Sequence, residues 1–176
     1  MEITPASDAD YDVIVALARF YIYDMAEHAG WAFPDSGGFE AGHQFANYWG
    51  KPGAPRPWPP EWKGFPFLVR LDGHPAGFAL VKQIGAGSFD MGEFYIGRQH
   101  RRRALGQQVA TALFDKFPGQ WEVREMLTNI AAQAFWRRII ADYTNGDFTD
   151  GREAFPAYGN AEFTVQRFRS GATPRD

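Results

Sequence analysis

A basic turn at residues 98–107 is the part of this sequence whose residue types best suit chemistry. It contains four arginines and the small residues Ala104 and Gly106, and it separates a strand-like run from a helical one. The first turn of a helix leaves backbone N–H groups unpaired and carries the positive end of the helix dipole. Because small residues admit an anion and guanidinium groups suit phosphate oxygens, the turn is typical of a diphosphate site. A solvated basic surface is the plainer alternative.

Periodic apolar patterns indicate the elements that must position this turn. Spacings of three and four predict a first helix over residues 11–25, ended by Gly30, after a short strand at Ile3 and Thr4. Strands at 65–71 and 76–83 form a hairpin around the Asp72-Gly73 turn. The later elements are a strand at 88–96, a helix at 105–117, a strand at 121–127, a helix at 130–140 and a strand at 162–168. This order predicts an α/β (α+β) protein with a mixed sheet and helices on both faces.

Residues 31–66 interrupt these patterns. Prolines at five positions between 52 and 60 remove backbone donors, so the segment is predicted to be a long ordered loop or lid. A short helix around residues 40–49 is compatible with it. Its tryptophans and tyrosines can line a pocket or fill the core, and we expect both.

Composition excludes several classes of function. The 176 residues fit one domain, and the chain has no cysteine, which rules out disulfides and thiolate chemistry. A net charge of −3 gives no overall attraction to nucleic acid or to a membrane. The four histidines have no metal-ligand spacing. With no signal peptide or spanning segment, we expect a cytoplasmic protein, and the oligomeric state stays open, a homodimer included.

Two motifs in the predicted order resemble the GNAT superfamily of N-acetyltransferases. The family's phosphate motif, Gln/Arg-x-x-Gly-x-Gly/Ala, is matched at residues 101–106, with Ala104 in place of the first Gly. Its second motif, Asn-x-x-Ala-x-x-aromatic-Tyr, is matched at residues 129–136, with Trp136 in place of Tyr. The resemblance covers residues 65–168 and implies a GNAT fold with a mostly antiparallel sheet of about six or seven strands.

The resemblance also implies a cofactor and the residues that bind it. In the family, the fourth and fifth strands splay apart, and the pantetheine arm of acetyl-CoA pairs with the fourth strand. The positions that this assigns to cofactor binding are Phe94, Tyr95, Ile96, Arg101, Arg102, Arg103, Ala104, Leu105, Gly106, Gln107, Asn129 and Trp136. A backbone N–H near Ile96 would stabilise the oxyanion that forms when an amine attacks the thioester directly.

An alkyl ammonium group has a pKa near ~10.4, so attack at neutral pH requires a base. Glu93 is the first candidate because it lies on the fourth strand and shares a face with Tyr95. A solvated carboxylate is the simpler interpretation. Asp24 and His28 on the first helix, with Trp31, are weaker candidates on the acceptor side.

The sequence leaves open which acid protonates the leaving thiolate. The family's Tyr is replaced by Trp136, whose indole is no acid, and Tyr143 is the remaining candidate. A domain that binds acyl-CoA without turnover, as a sensor or scaffold, is therefore the alternative to an enzyme. The acceptor, a small molecule or a peptide amine, is not fixed by the sequence.

Overall fold

The computed structural model describes residues 1–40, 44–51, 58–101 and 103–171. Seven strands and three α-helices run through these residues. In chain order they are β1 (Glu2–Pro5), α1 (Tyr11–Ala29), β2 (Lys63–Leu71), β3 (His74–Gly85), β4 (Ser88–Ile96), α2 (Leu105–Lys116), β5 (Gly119–Met126), α3 (Ile130–Thr144), β6 (Phe148–Phe155) and β7 (Ala161–Ser170).

The strands form one sheet in the order β1-β2-β3-β4-β5-β7-β6. Every neighbouring pair is antiparallel except β4 and β5, which run parallel. Parallel neighbours need a crossover connection, and α2 provides it. The mixed, mostly antiparallel sheet predicted from the sequence is confirmed.

The two faces of the sheet carry separate apolar clusters. On one face, Ile14, Ala18 and Ile22 of α1 pack against Phe78 and Leu80 of β3. On the opposite face, α2 and α3 bury their apolar stripes against the sheet in a larger cluster. Helices therefore cover both faces, as the element order predicts. We call these the α1 face and the α3 face.

Local turn chemistry explains where two of the elements end. Gly30 closes α1 in the left-handed region with φ of 68°, and its N–H donates to the carbonyl of Ala26. Asp72 and Gly73 both have positive φ, 52° and 80°, which is the geometry that tight hairpins favour between β2 and β3. Both features match the sequence prediction.

Two local predictions differ from the structure. Strand β6 was not predicted, because almost all of its residues are exposed and it lies at the sheet edge, where no apolar alternation is needed. The short helix expected around residues 40–49 is a 3-10 helix at Phe45–Trp49, and residues 41–43 lie outside the described part. No helix in the described ranges is long and apolar enough to cross a membrane.

Candidate active site

A gap opens between β4 and β5 in the middle of the sheet. The two strands pair only from Ser88 to Asp90 on β4 and from Gln120 to Glu122 on β5. Beyond these positions β5 continues to pair with β7, and β4 continues to pair with β3. The facing edges of β4 and β5 are therefore unpaired with each other over the rest of both strands, which leaves room for an extended ligand.

A β-bulge at Gly92 sets the direction of the side chains along this edge. Leu80 pairs with Glu93 and Val81 pairs with Met91, so Gly92 is the extra residue on β4. Met91 and the residue after Glu93 pack on the α3 face. Without the bulge, the two-residue alternation would place Glu93 on the same face as Met91. The bulge thus turns Glu93 towards the α1 face.

The backbone of β4 offers hydrogen-bonding groups to the gap. The N–H of Gly97 donates to the carbonyl of Ala76 on β3 at 2.9 Å. Since backbone groups alternate along a strand, Phe94 and Ile96 direct theirs to the opposite edge, which borders the gap. The side chain of Phe94 packs against Trp136 with ring centroids 5.0 Å apart. Tyr95 lies on the α1 face in the other cluster.

The turn before α2 has the backbone geometry of an anion site. Ala104 has φ of 57°, the left-handed conformation that favours glycine, which explains why the family motif carries Gly at this position. Ala104 accepts from the N–H of Gln108, so the N–H groups of Leu105, Gly106 and Gln107 belong to the open first turn. Ala104 is exposed, so its side of the turn is open to an anion.

Gly106 packs tightly against the α3 side. A Cβ at this position would lie 3.0 Å from Cζ of Phe135 and 3.7 Å from Cε1 of Phe94. A small residue is therefore needed for α2 to approach β4 and α3. Arg103 is exposed beside the turn, and Arg102, also predicted to bind the cofactor, lies outside the described residues.

Arg101 and Arg98 are paired to α1 instead of pointing freely to solvent. Asp24 accepts from Arg98 and from Arg101, each at 2.6 Å. Burial alone would raise the pKa of Asp24, but the hydrogen bonds from the two arginines outweigh it and hold that pKa below its ordinary value. The structure therefore places Asp24 beside the turn before α2. The pairing also reduces the positive charge that a nucleic-acid contact would need.

Glu93 meets a tyrosine from α1. The hydroxyl of Tyr21 donates to Oε2 of Glu93 at 2.7 Å, and Glu93 is only partly exposed. Burial raises the pKa of Glu93 above its ordinary value, and the hydrogen bond from Tyr21 opposes part of that shift. A partly buried carboxylate with a raised pKa is suited to general-base work. In the sequence, Tyr21 is only one residue of the helix predicted over residues 11–25.

Three further charged residues, which are not among the candidates from the sequence, lie near Glu93 on the α1 face. Asp90 is 2% exposed and pairs with Lys82 at 2.7 Å and with Arg124. Lys82 lies over the rings of Trp58 and Trp62, and Arg124 lies over two rings at the end of β6 and just beyond it. The sequence carries one signal for these residues, because each is a charged residue within an apolar strand. A charged residue is seldom buried in a strand unless it has a partner of opposite charge.

The second-motif residues have structural partners. Asn129 caps α3 by accepting from the N–H of Ala132 at 3.1 Å. Trp136 is buried between Phe94, Phe114 and Phe135. Trp136 therefore packs against the α3 face of the sheet, beside β4.

Tyr143 lies two turns further along α3, about 10 Å from Trp136 by helical rise. Its hydroxyl donates to Asp115 at 2.7 Å, and its ring packs on Phe114 and Phe168. Burial, with the hydrogen bond to Asp115, raises the pKa of Tyr143 to about 12. The structure does not bring Tyr143 together with Glu93.

The other acceptor-side candidates lie near the end of α1. The carbonyl of His28 accepts from the hydroxyl of Thr128, which ties α1 to the loop between β5 and α3. Trp31 is 52% exposed on an open surface hollow that includes Pro34 and Phe39. Neither side chain contacts Glu93 in the described structure.

Comparison with known proteins identifies the family. The chain matches the model of the Acetyltransferase (GNAT) family over residues 38–140, more than half of its length, so the protein belongs to this family of acetyltransferases. The resemblance found in the two motifs is confirmed. No curated protein sequence matches the chain.

Solved structures share the fold at low sequence identity. An acetyltransferase from Thermus thermophilus has a TM-score of 0.64 at 16% identity, with 96% of each chain covered. A GNAT-family acetyltransferase from Staphylococcus aureus has a TM-score of 0.59 at 10% identity, covering 96% of this chain and 98% of that one. An acetyltransferase from Bacillus subtilis, solved in complex with CoA, has a TM-score of 0.56 at 7% identity, with 96% of each chain covered.

Proposed function

We propose that this protein, as a single domain, transfers an acetyl group from acetyl-CoA to a primary amine by direct attack in a ternary complex. The observation that carries the proposal is the unpaired stretch of β4 and β5, which opens next to the first turn of α2, whose backbone N–H groups have no partner within the helix. A strand edge and a helix N-terminus meet there, and they suit the amide-bearing arm and the diphosphate of CoA respectively. The family match and the CoA complex of the Bacillus subtilis relative support this choice of donor.

The donor is held mainly by the backbone in this proposal. The backbone groups of Phe94 and Ile96, on either side of Tyr95, pair with the pantetheine amides, and N–H groups of residues 104–107 hold the diphosphate. Arg101, Arg103 and the undescribed Arg102 supply charge-assisted donors to the phosphates. Asn129 and Trp136 act less directly. Asn129 caps the start of α3, and Trp136 packs against Phe94.

Glu93 is the proposed base, acting directly or through a water molecule. Acetyl-CoA supplies a thioester carbonyl that is open to attack. Glu93 takes a proton from the amine, and the N–H of Ile96 donates to the oxygen that becomes negative. The acceptor approaches on the α1 face, where Tyr21 and the aromatic residues over Lys82 and Arg124 surround the carboxylate.

Calorimetry and a turnover assay test this proposal together. Acetyl-CoA binding is measured by titration, and thiol release is measured across a panel of small amines and peptide N-termini. We expect binding and turnover, with a loss of about 100-fold or more in kcat/KM for Glu93→Gln and no loss for the exposed control Glu2→Gln. Binding without turnover of any amine would favour the sensor or scaffold instead.

A further inference from the structure

Glu125 is a buried acid that the proposed reaction leaves without a role. It lies on β5, is 5% exposed, and neither of its carboxyl oxygens has a hydrogen-bond partner within the described part of the chain. Burying a carboxylate without a donor is costly, because the group loses its hydrogen bonds to water and gains none in return. Such a residue in a strand that borders the gap requires an explanation.

The strand register places Glu125 on the part of β5 that borders the gap. The last paired residues of the parallel strands are Asp90 and Glu122. Glu125 lies about 10 Å beyond this point along β5, and Glu93 lies about 7 Å beyond it along β4, because Gly92 is bulged out of the pairing. Trp121 and Val123 face the α3 side, and alternation puts Glu125 on that same side. Glu93 and Glu125 thus border the gap from different strands and from opposite faces of the sheet.

The surroundings of Glu125 favour a protonated carboxyl. Gln166 on β7 lies near Glu125; its Oε1 also has no hydrogen-bond partner among the described residues, and its Nε2 donates to Asp150 at 3.3 Å. A proton on Glu125 supplies a donor close to the unpartnered Oε1 of Gln166. The charged groups facing it are Arg137 of α3 and Asp150 of β6, which are paired with each other.

We infer that Glu125 is the acid that protonates the departing thiolate, and the inference rests on the proposed acetyl transfer. As the C–S bond of the tetrahedral intermediate breaks, its electron pair goes to sulfur, and the Glu125 carboxyl O–H passes its proton to that sulfur. Glu93 holds the proton taken from the amine. The products are the amide and the CoA thiol; the first proton of an ammonium acceptor has gone to water before attack. Proton exchange with water then returns Glu93 to its carboxylate and Glu125 to its protonated form.

The pKa of Glu125 is close to that of the thiol that receives its proton. Burial raises the pKa of Glu125 to about 8, with a smaller opposing effect from Gln166. A thiol has an ordinary pKa near ~8.5, so the proton moves between groups of similar acidity, which is the condition for efficient acid catalysis. Trp136 occupies the position where the family usually has a tyrosine, and the hydroxyl of Tyr143 donates a hydrogen bond to Asp115. Among the described residues, this leaves Glu125 as the buried acid on the α3 side of the candidate site.

The test combines a pH profile with a spectroscopic readout. In the wild type we expect kcat to fall above about pH 8, because the acid must carry its proton. Glu125→Gln should lower kcat about tenfold to 100-fold and remove this alkaline limb, while Glu125→Asp should retain the limb at reduced kcat. Glu162→Gln, an exposed change at the start of β7, should leave the profile unchanged.

Infrared spectra of the free protein test the protonation directly. The carbonyl band of a protonated carboxyl should be present at neutral pH in the wild type and missing in Glu125→Gln, whose fold is checked by circular dichroism. If the wild type turns over but Glu125→Gln keeps a pH profile of the same shape, or keeps the infrared band, the acid role of Glu125 is wrong. The proposed acetyl transfer would not be affected by that result. A wild type that releases no thiol with any amine overturns the proposed function and, with it, this role.

Discussion

The hydroxyl of Tyr21 lies 2.7 Å from Oε2 of Glu93 and joins α1 to the strand that borders the gap. This bond stabilises the ionised carboxylate and so holds the pKa of Glu93 below the value that burial alone would give. The helix therefore tunes the proposed base as well as covering the sheet.

Replacing Tyr21 by phenylalanine should shift the acid limb of the pH profile. Without the hydroxyl, the pKa of Glu93 rises further, so kcat/KM should reach half of its maximum at a pH about 0.5–1 unit higher. The measurement is kcat/KM against pH for Tyr21→Phe beside Tyr23→Phe, a change at an exposed tyrosine of the same helix. An identical acid limb in all three proteins would show that Glu93 is not the group that titrates.

Arg101 should contribute strongly to CoA binding. Its Nε donates to the carbonyl of Ile96 at 2.9 Å and its Nη2 pairs with Asp24 at 2.6 Å, so it holds the turn before α2 against both β4 and α1. We expect Arg101→Ala to weaken CoA binding by about tenfold to 100-fold, the cost of losing charge-assisted hydrogen bonds of about 1.5–3 kcal/mol. Calorimetry with CoA measures this.

Arg138→Ala is the matched control for Arg101, because Arg138 is an exposed arginine on α3. A general charge effect would weaken CoA binding equally in both variants and would decline with added salt. Equal losses would therefore contradict a specific role of Arg101 at the turn.

A side chain at Gly92 should lower the stability of the protein and its activity. A Cβ there would lie 1.9 Å from the Tyr48 hydroxyl and 3.1 Å from the carbonyl of Leu80. Gly92→Ala should destabilise the protein by about 1–3 kcal/mol and displace Glu93, since the bulge sets the direction of that side chain. Urea unfolding and kcat/KM measure the two effects.

Gly151→Ala is the control for this change, because Gly151 also lies in a strand and a Cβ there would meet nothing within 4 Å. We expect stability and kcat/KM close to those of the wild type. If Gly92→Ala behaved in the same way, the close packing of Tyr48 over the bulge would not matter for the site.

The features that the sequence predicted correctly are local. The apolar stripe of α1, the hairpin turn at Asp72 and Gly73, and the strand-to-helix turn before Leu105 each depend on residues within a few positions of one another. Spacing and turn chemistry are sufficient for such features. The two motifs then supplied the family, because their order along the chain follows the order of the elements.

The features that the sequence did not predict depend on distant partners. Tyr21 and Glu93 are separated by 72 positions, and the role of the tyrosine follows only from the packing of α1 on the sheet. The bulge at Gly92 is a matter of register between β3 and β4, which no local pattern of β4 reveals. Strand β6 is held by pairing with β7 and has almost no buried side to mark it.

The protonation of Glu125 should also be visible in the stability of the protein without any ligand. Its folded pKa of about 8 lies above the ordinary value of 4.5, so the unfolded chain loses this proton at lower pH than the folded protein does. Between those two values the folded state binds more protons, and the free energy of unfolding must fall as pH rises, by at most about 5 kcal/mol.

Glu125→Gln removes this dependence, because an amide stays neutral in both states. The variant should therefore match the wild type more closely near pH 5 and become more stable than the wild type by a margin that grows up to about pH 8 and then levels off. Urea unfolding at a series of pH values measures the difference, with Glu162→Gln as the control for removal of an exposed carboxylate. If the difference between Glu125→Gln and the wild type stayed constant across this range, Glu125 would have to be ionised in the folded protein, and its burial without a donor would need a different origin.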